Sequence, residues 1–491
     1  MVAALWLLAP TSMYADGGKR EFRGAWMQFV NGMYLGKSTA EIQQMLTHQL
    51  DELEKDGANA IIFQVRGECD ALYESKIEPW SRYLTGVQGK APSPYWDPMA
   101  WMIQQCHRRG MEFHAWINPY RARMKSPTRL ADNHILKTHP ERAFEYGGLY
   151  VLNPGLKENR DYILSVVDDI VSRYDIDGIH IDDYFYPYPE GGRPIPDDRE
   201  YALYNNGIAD RGDWRRYNVN LFVKEMGEHV HKLKPWVKFG VSPFGIYRNK
   251  KSSPIGSDTN GLQNYDQLYA DVLLWVNNGW IDYCVPQLYW HIGHPLADYE
   301  KLIKWWAKHM ANRPLYIGES IENTVQNSDP ANPNTHQMAA KFRLHRQLRN
   351  VSGTVLWYAK VAAEDMGSYG TMLRNVYWKS KALPPYMPFL DSKAPKKPAK
   401  VGEAWTEDGL MLYWSAPKAK KWGDEARRYV IYRFAKGEKV NLADASKIVK
   451  ITYDNYYRLP YDGGTKKYKY VVTALDRVGN ESKGAKRKVK L

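Results

Sequence analysis

The chain has 491 residues, 44% hydrophobic and 25% charged, the balance of a globular protein with room for one large domain and a small one. Its three cysteines, Cys69, Cys106 and Cys284, lie far apart, which excludes a disulfide framework and any cysteine-based metal spacing; no metal or other cofactor is expected. A net charge of +13 suits an anionic polymer, but the lysine-rich last hundred residues contain no readable nucleic-acid module, so no nucleic-acid partner is expected.

Residues 2–10 form a short apolar run followed by Met13-Tyr14-Ala15, where a signal peptidase could cut. We read residues 1–16 as a signal-peptide remnant and expect an exported, periplasmic or envelope-associated protein. The run is too short to span a bilayer, and no transmembrane segment is expected.

From residue 22 a pattern repeats. An apolar strand at 22–30 precedes a helix opened by the capping box Ser38-Thr-Ala-Glu41, with Ile42, Leu46, Leu50 and Leu53 at helical spacing. Strands are expected near 60–65, 112–117, 178–182, 238–242, 283–288, 315–317 and 353–357. Helices are expected over 98–109, 158–174, 214–233, 266–277, 296–310, 335–349 and 362–376. Eight strand-then-helix units over about 360 residues predict a (β/α)8 barrel of the TIM type over residues 17–382, an α/β fold. No Gly-x-Gly-x-x-Gly follows any strand, so an open dinucleotide-binding sheet lacks its fingerprint.

Residues 383–395 are a proline-rich linker. Beyond them helical periodicity stops, and alternating strands appear at 409–414, 428–434 and 467–474. Residues 396–491 are therefore expected to form a small all-β sandwich, and at Leu410 to Trp414, Tyr429 to Arg433 and Tyr468 to Ala474 they resemble a fibronectin type III module.

In such a barrel the site lies at the C-terminal ends of the strands. Those ends carry Arg66, Glu68 and Asp70; Asn118 and Tyr120; Asp182, Asp183 and Tyr184; Phe244; Gln287, Tyr289 and Trp290; Glu319; and Trp357. Acids beside aromatic faces suit hydrolysis of a glycosidic bond, which needs a proton donor and a nucleophile or base. Side chains alternate along a strand, so His180 and Asp182 share a face and Asp182 is the first choice for the barrel mouth. Asp183 is second. The partner carboxyl is expected among Glu68, Asp70 and Glu319, each of which also has a structural reading as an ion-pair or capping group. His114 and His180 lie inside strands, where core roles compete with substrate contact. Arg66, Asn118, Tyr120, Tyr184, Phe244, Gln287, Tyr289, Trp290 and Trp357 complete the expected substrate-binding set.

Several motifs are familiar. Phe22-Arg-Gly-Ala-Trp26, His114-Ala-Trp-Ile-Asn-Pro-Tyr120, Asp177-Gly-Ile-His-Ile-Asp-Asp-Tyr-Phe-Tyr-Pro187, Val241-Ser-Pro-Phe244 and Val285-Pro-Gln-Leu-Tyr-Trp290 resemble the glycosyl hydrolase-like 10 family over about residues 20–380. The resemblance implies a bacterial envelope or secreted glycosidase, one member of the family being a divisome enzyme that cuts peptidoglycan strands stripped of stem peptides. It places Asp70, His114, Asn118, Asp182, Asp183, Gln287 and Tyr289 in matching motifs. The expected partner is a carbohydrate, peptidoglycan glycan or another polysaccharide. The rival readings are a non-catalytic glycan-binding barrel, favoured if no second carboxylate faces Asp182 across the mouth, and a glycosidase for dietary or host polysaccharide.

Overall fold

The computed structural model describes residues 18–125, 129–310, 312–419 and 423–491. The segment read as a signal remnant lies outside the described residues. Among them, no helix is long and apolar enough to cross a membrane.

Eight parallel strands close into a barrel. They are β1 (Phe22–Met27), β2 (Ala60–Arg66), β3 (Glu112–Ile117), β4 (Gly178–Ile181), β5 (Lys238–Val241), β6 (Tyr283–Cys284, resuming at Gln287–Leu288), β7 (Leu315–Ser320) and β8 (Val351–Trp357). Each pairs with the next in sequence, and β8 pairs back to β1. Every residue of β1 to β5 is buried, as strands covered on both faces must be.

The helices between them form as their patterns dictate. Helix α1 (Thr39–Asp56) starts on the Ser38–Glu41 capping box, buries Ile42, Leu46, Leu50 and Leu53, and stops at Gly57, whose φ of 94° belongs to the left-handed region. The stretch expected as one helix over 266–277 is two, Asn264–Gln267 and Val272–Asn277. Tyr269 breaks it, with φ 55°, as its ring packs on Tyr186 and its hydroxyl accepts from Arg215 at 2.7 Å. Likewise 362–376 is a series of short turns, because Asp365, Gly367 and Ser368 all have positive φ. The long loop expected after β3 contains a three-stranded sheet, Arg121–Arg123, Ala143–Tyr146 and Leu149–Leu152, whose hairpin turns at Gly147-Gly148.

Beyond the linker, two antiparallel sheets face each other across a core that includes Leu412, Trp414, Tyr429, Ile431, Tyr470 and Val472, an all-β module. It is not loosely strung on. Arg428 donates to Glu112 at 2.7 Å, at the N-terminal mouth of the barrel, where Glu112 also accepts from Lys238 at 2.6 Å. All three side chains are 2% exposed or less. The linker residue Leu383 is buried with Val430 and Tyr432 of the module.

Candidate active site

The middle of the barrel is filled by rings and imidazoles. The Tyr283 hydroxyl lies 2.8 Å from Nδ1 of His114 and 3.1 Å from Nδ1 of His180, and Nε2 of His180 lies 2.9 Å from the Ser242 hydroxyl. Two glycines make space for these groups: a Cβ on Gly240 would meet the Tyr283 ring at 1.9 Å, and one on Gly178 would meet His114 at 2.4 Å. Burial lowers the pKa of both histidines, so they are neutral hydrogen-bonding groups. His114 and His180, for which core roles competed with substrate contact, are the floor beneath the site.

Above this floor, at the C-terminal mouth, Asp182 stands on the wall of a cavity of about 400 Å³. Its Oδ2 accepts from Trp116 Nε1 at 3.2 Å and from the Asn118 amide. Oδ1 has no hydrogen-bond partner among the described residues. Burial pushes this carboxyl up to about 7, against the opposing pull of Arg121 and with the Asp183 charge adding to the rise. Asp183 accepts from the Tyr188 hydroxyl through Oδ2; burial raises it to about 6. Adjacent acids with separated affinities can hold one proton between them near neutral pH.

Aromatic walls complete the cavity. Tyr289 stacks on Trp357 with centroids 5.9 Å apart, and Trp26 stands edge-on to both at 6.4 and 6.0 Å. Tyr184 lines the other side under the Arg121 guanidinium, and Gln287 borders the cavity too. Phe244 and Trp290 lie beyond this lining, in edge contact with each other.

Other expected residues do not reach the cavity. Glu68 is held by Arg82 at 3.0 Å and by the Met124 amide at 2.6 Å. Asp70 accepts from the Glu68 amide at 3.1 Å and from Gln88 at 3.3 Å. Glu319 is bound by Lys341, Thr324 and Tyr299 at 2.5, 2.6 and 2.9 Å. Arg66 grips Glu78 with two nitrogens and donates to the Pro119 carbonyl, while Tyr120 packs under Phe222. Each is buried among its own partners. Asn118 contributes indirectly, since it binds Asp182, Gln64 and Arg121 at once.

Trp26, Gln64, Trp116, Arg121 and Ser242 line the cavity and were not among the expected residues. The alternation that selected Asp182 on β4 also selects Trp116 on β3, two residues past His114. Arg121 follows the Asn118-Pro119-Tyr120 motif but starts a strand of the inserted sheet, so its return to the mouth was not visible.

The sequence profile of the family described as Glycosyl hydrolase-like 10 matches residues 21–334. The chain belongs to this family. It is 39% identical to Glycosyl hydrolase YngK of Bacillus subtilis (strain 168) over 483 residues, covering 96% of this chain and 94% of that protein. Glycosyl hydrolase DigH of Escherichia coli (strain K12) is 37% identical over 332 residues, 64% of this chain and 75% of that one. Among solved structures, the endo-beta-1,4-mannanase of Thermotoga petrophila aligns over 97% of this chain and 99% of its own, with 10% identity and a TM-score of 0.43. The protein is a glycoside hydrolase with a (β/α)8 barrel.

Proposed function

We propose that the protein hydrolyses O-glycosyl bonds in bacterial envelope glycan, its substrate being peptidoglycan strands, and that Asp182 protonates the leaving oxygen. The observation that carries this reading is the Asp182 carboxyl itself. It lies on the cavity wall, it is buried, and its affinity for a proton is raised to about 7. A general acid needs its pKa near the working pH. The aromatic walls suit the apolar faces of sugar rings. The peptidoglycan assignment is supported by the motif resemblance and by the net charge of +13, which favours an anionic polymer. It entails that the protein works outside the cytoplasm, at the envelope.

The test is direct. Purified protein is incubated with peptidoglycan strands stripped of stem peptides and, separately, with plant polysaccharides, and products are identified by mass spectrometry. Saccharide release from the strands is expected. Release from plant polysaccharides alone would overturn the substrate assignment.

A further inference from the structure

Glycosidases of the two-carboxylate kind place their acid and their nucleophile or base about 5–9.5 Å apart, flanking the bond to be cut. This barrel does not offer that arrangement. Asp182 is the only carboxylate lining the cavity among the described residues. The three candidates for the opposite side, Glu68, Asp70 and Glu319, are buried outside the lining and held by their own donors. The remaining acid, Asp183, accepts from the Tyr188 hydroxyl and does not line the cavity, so it presents no carboxylate across the mouth from Asp182.

We infer that the nucleophile is the substrate's own 2-acetamido group, which restricts the enzyme to glycans of 2-acetamido sugars and makes it a retaining hydrolase. This rests on the proposed glycosidase reading and deepens it. In the first step the Asp182 carboxyl gives its proton to the glycosidic oxygen as the bond from that oxygen to C1 breaks. The acetamido carbonyl oxygen supplies an electron pair to C1, and a bicyclic oxazolinium ion forms. In the second step water attacks C1 from the face the leaving group left and returns a proton to Asp182. The bond from C1 to the acetamido oxygen breaks with its electrons, which restores the amide. Two displacements at C1 give net retention, and no co-reactant besides water is consumed.

Two further features fit this chemistry. The rings of Trp26, Tyr289 and Trp357, packed against one another, line the same cavity as Asp182 and give an acetamido methyl an apolar wall to rest on. Asp183, held by Tyr188 and next to Asp182 in the chain, supplies a second carboxylate beside it, a positioning and electrostatic residue whose charge favours the positive charge that develops on the oxazolinium.

The test uses the full chain on stripped strands whose N-acetyl groups have been replaced by N-trifluoroacetyl groups. The shape is nearly unchanged, but the carbonyl oxygen is a far poorer nucleophile. We expect kcat to fall on the order of a thousandfold with KM little changed, since an intramolecular nucleophile contributes several powers of ten. Proton NMR of the first products from native strands should show the anomeric configuration of the substrate. Cleavage of native strands with an inverted first product, or an unchanged kcat on trifluoroacetylated strands, would overturn this inference and leave the glycosidase reading standing. Failure to cut any strand would overturn the glycosidase reading and this one with it.

Discussion

Replacing Asp182 with Asn separates catalysis from stability at a single atom. The amide oxygen still accepts from Trp116 and Asn118, so the local geometry has no reason to collapse. Proton donation is lost, and cleavage should fall about 10²–10⁴-fold. Stability should move the other way at high pH. A carboxyl whose affinity rises from 3.8 to about 7 on folding binds more protons in the native than in the unfolded state between those values. Its contribution to stability is therefore lost as pH rises from about 4 to about 7, and above that the penalty is about 4 kcal/mol. The substituted amide carries no such penalty, although its N–H2 group takes the place of the partnerless Oδ1 and costs about 1–3 kcal/mol. The balance favours the variant at alkaline pH. Urea unfolding of both proteins from pH 5 to pH 8 should show the variant gaining by about 3 kcal/mol relative to wild type. A stability difference independent of pH, or retained cleavage by the variant, would refute the reasoning.

Other consequences follow from the same geometry. Cleavage by the wild type should be bell-shaped in pH, falling above about 7 as Asp182 loses its proton and below about 6 as Asp183 gains one, read from kcat/KM on soluble strands. Arg428→Met should cost about 2–3 kcal/mol of stability in thermal or urea unfolding, less than the about 3–5 kcal/mol of a fully orphaned buried charge because Lys238 still faces Glu112. Its cleavage rate at 25 °C should not change. Residues 396–491 contain 23 Lys and Arg against 11 Asp and Glu, or +12 of the chain's +13. Retention on anionic wall material should therefore weaken between 0.05 and 0.5 M salt, roughly the range over which the Debye length shrinks to a few ångströms.

The barrel was legible because its signals are local. The strands are apolar runs, the helices carry 3.6-residue periodicity, and Ser38 and Gly57 mark both ends of α1. Where expectation and structure part, a side chain far away decides. Tyr269 breaks a helix by packing on Tyr186 and Arg215, and neither is near in sequence. The all-β module was visible in its alternation, but its docking was not, because Arg428 looks like any strand arginine until Glu112 is placed beneath it. Within the site, alternation along β4 picked out Asp182. It could not show that Glu68, Asp70 and Glu319 are occupied, since their partners Arg82, Gln88 and Lys341 come from other segments. The expectation of a second carboxylate across the mouth failed for that reason, and what sets aside the glycan-binding rival is membership of the glycosyl hydrolase family, not a carboxylate pair.

Buried charge at the base of the barrel and in the Asp182–Asp183 pair at its mouth is treated in opposite ways. At the N-terminal end the acids have basic partners: Glu112 meets Lys238 and Arg428, and Asp177 lies 2.9 Å from the His107 imidazole. Burial alone would raise Glu112, but those two cations hold it down to about 2. At the C-terminal end two acids share the influence of one guanidinium, Arg121, which also serves the Gly67 carbonyl and Asn118. The imidazoles below are neutral and supply no charge. Burial therefore wins at the mouth and loses at the base. A proton stays on Asp182 because the barrel interior leaves the acid pair short of positive charge. Adding a cation there, for example by Gln64→Lys, should lower the Asp182 pKa and carry the alkaline limb of the cleavage profile down with it.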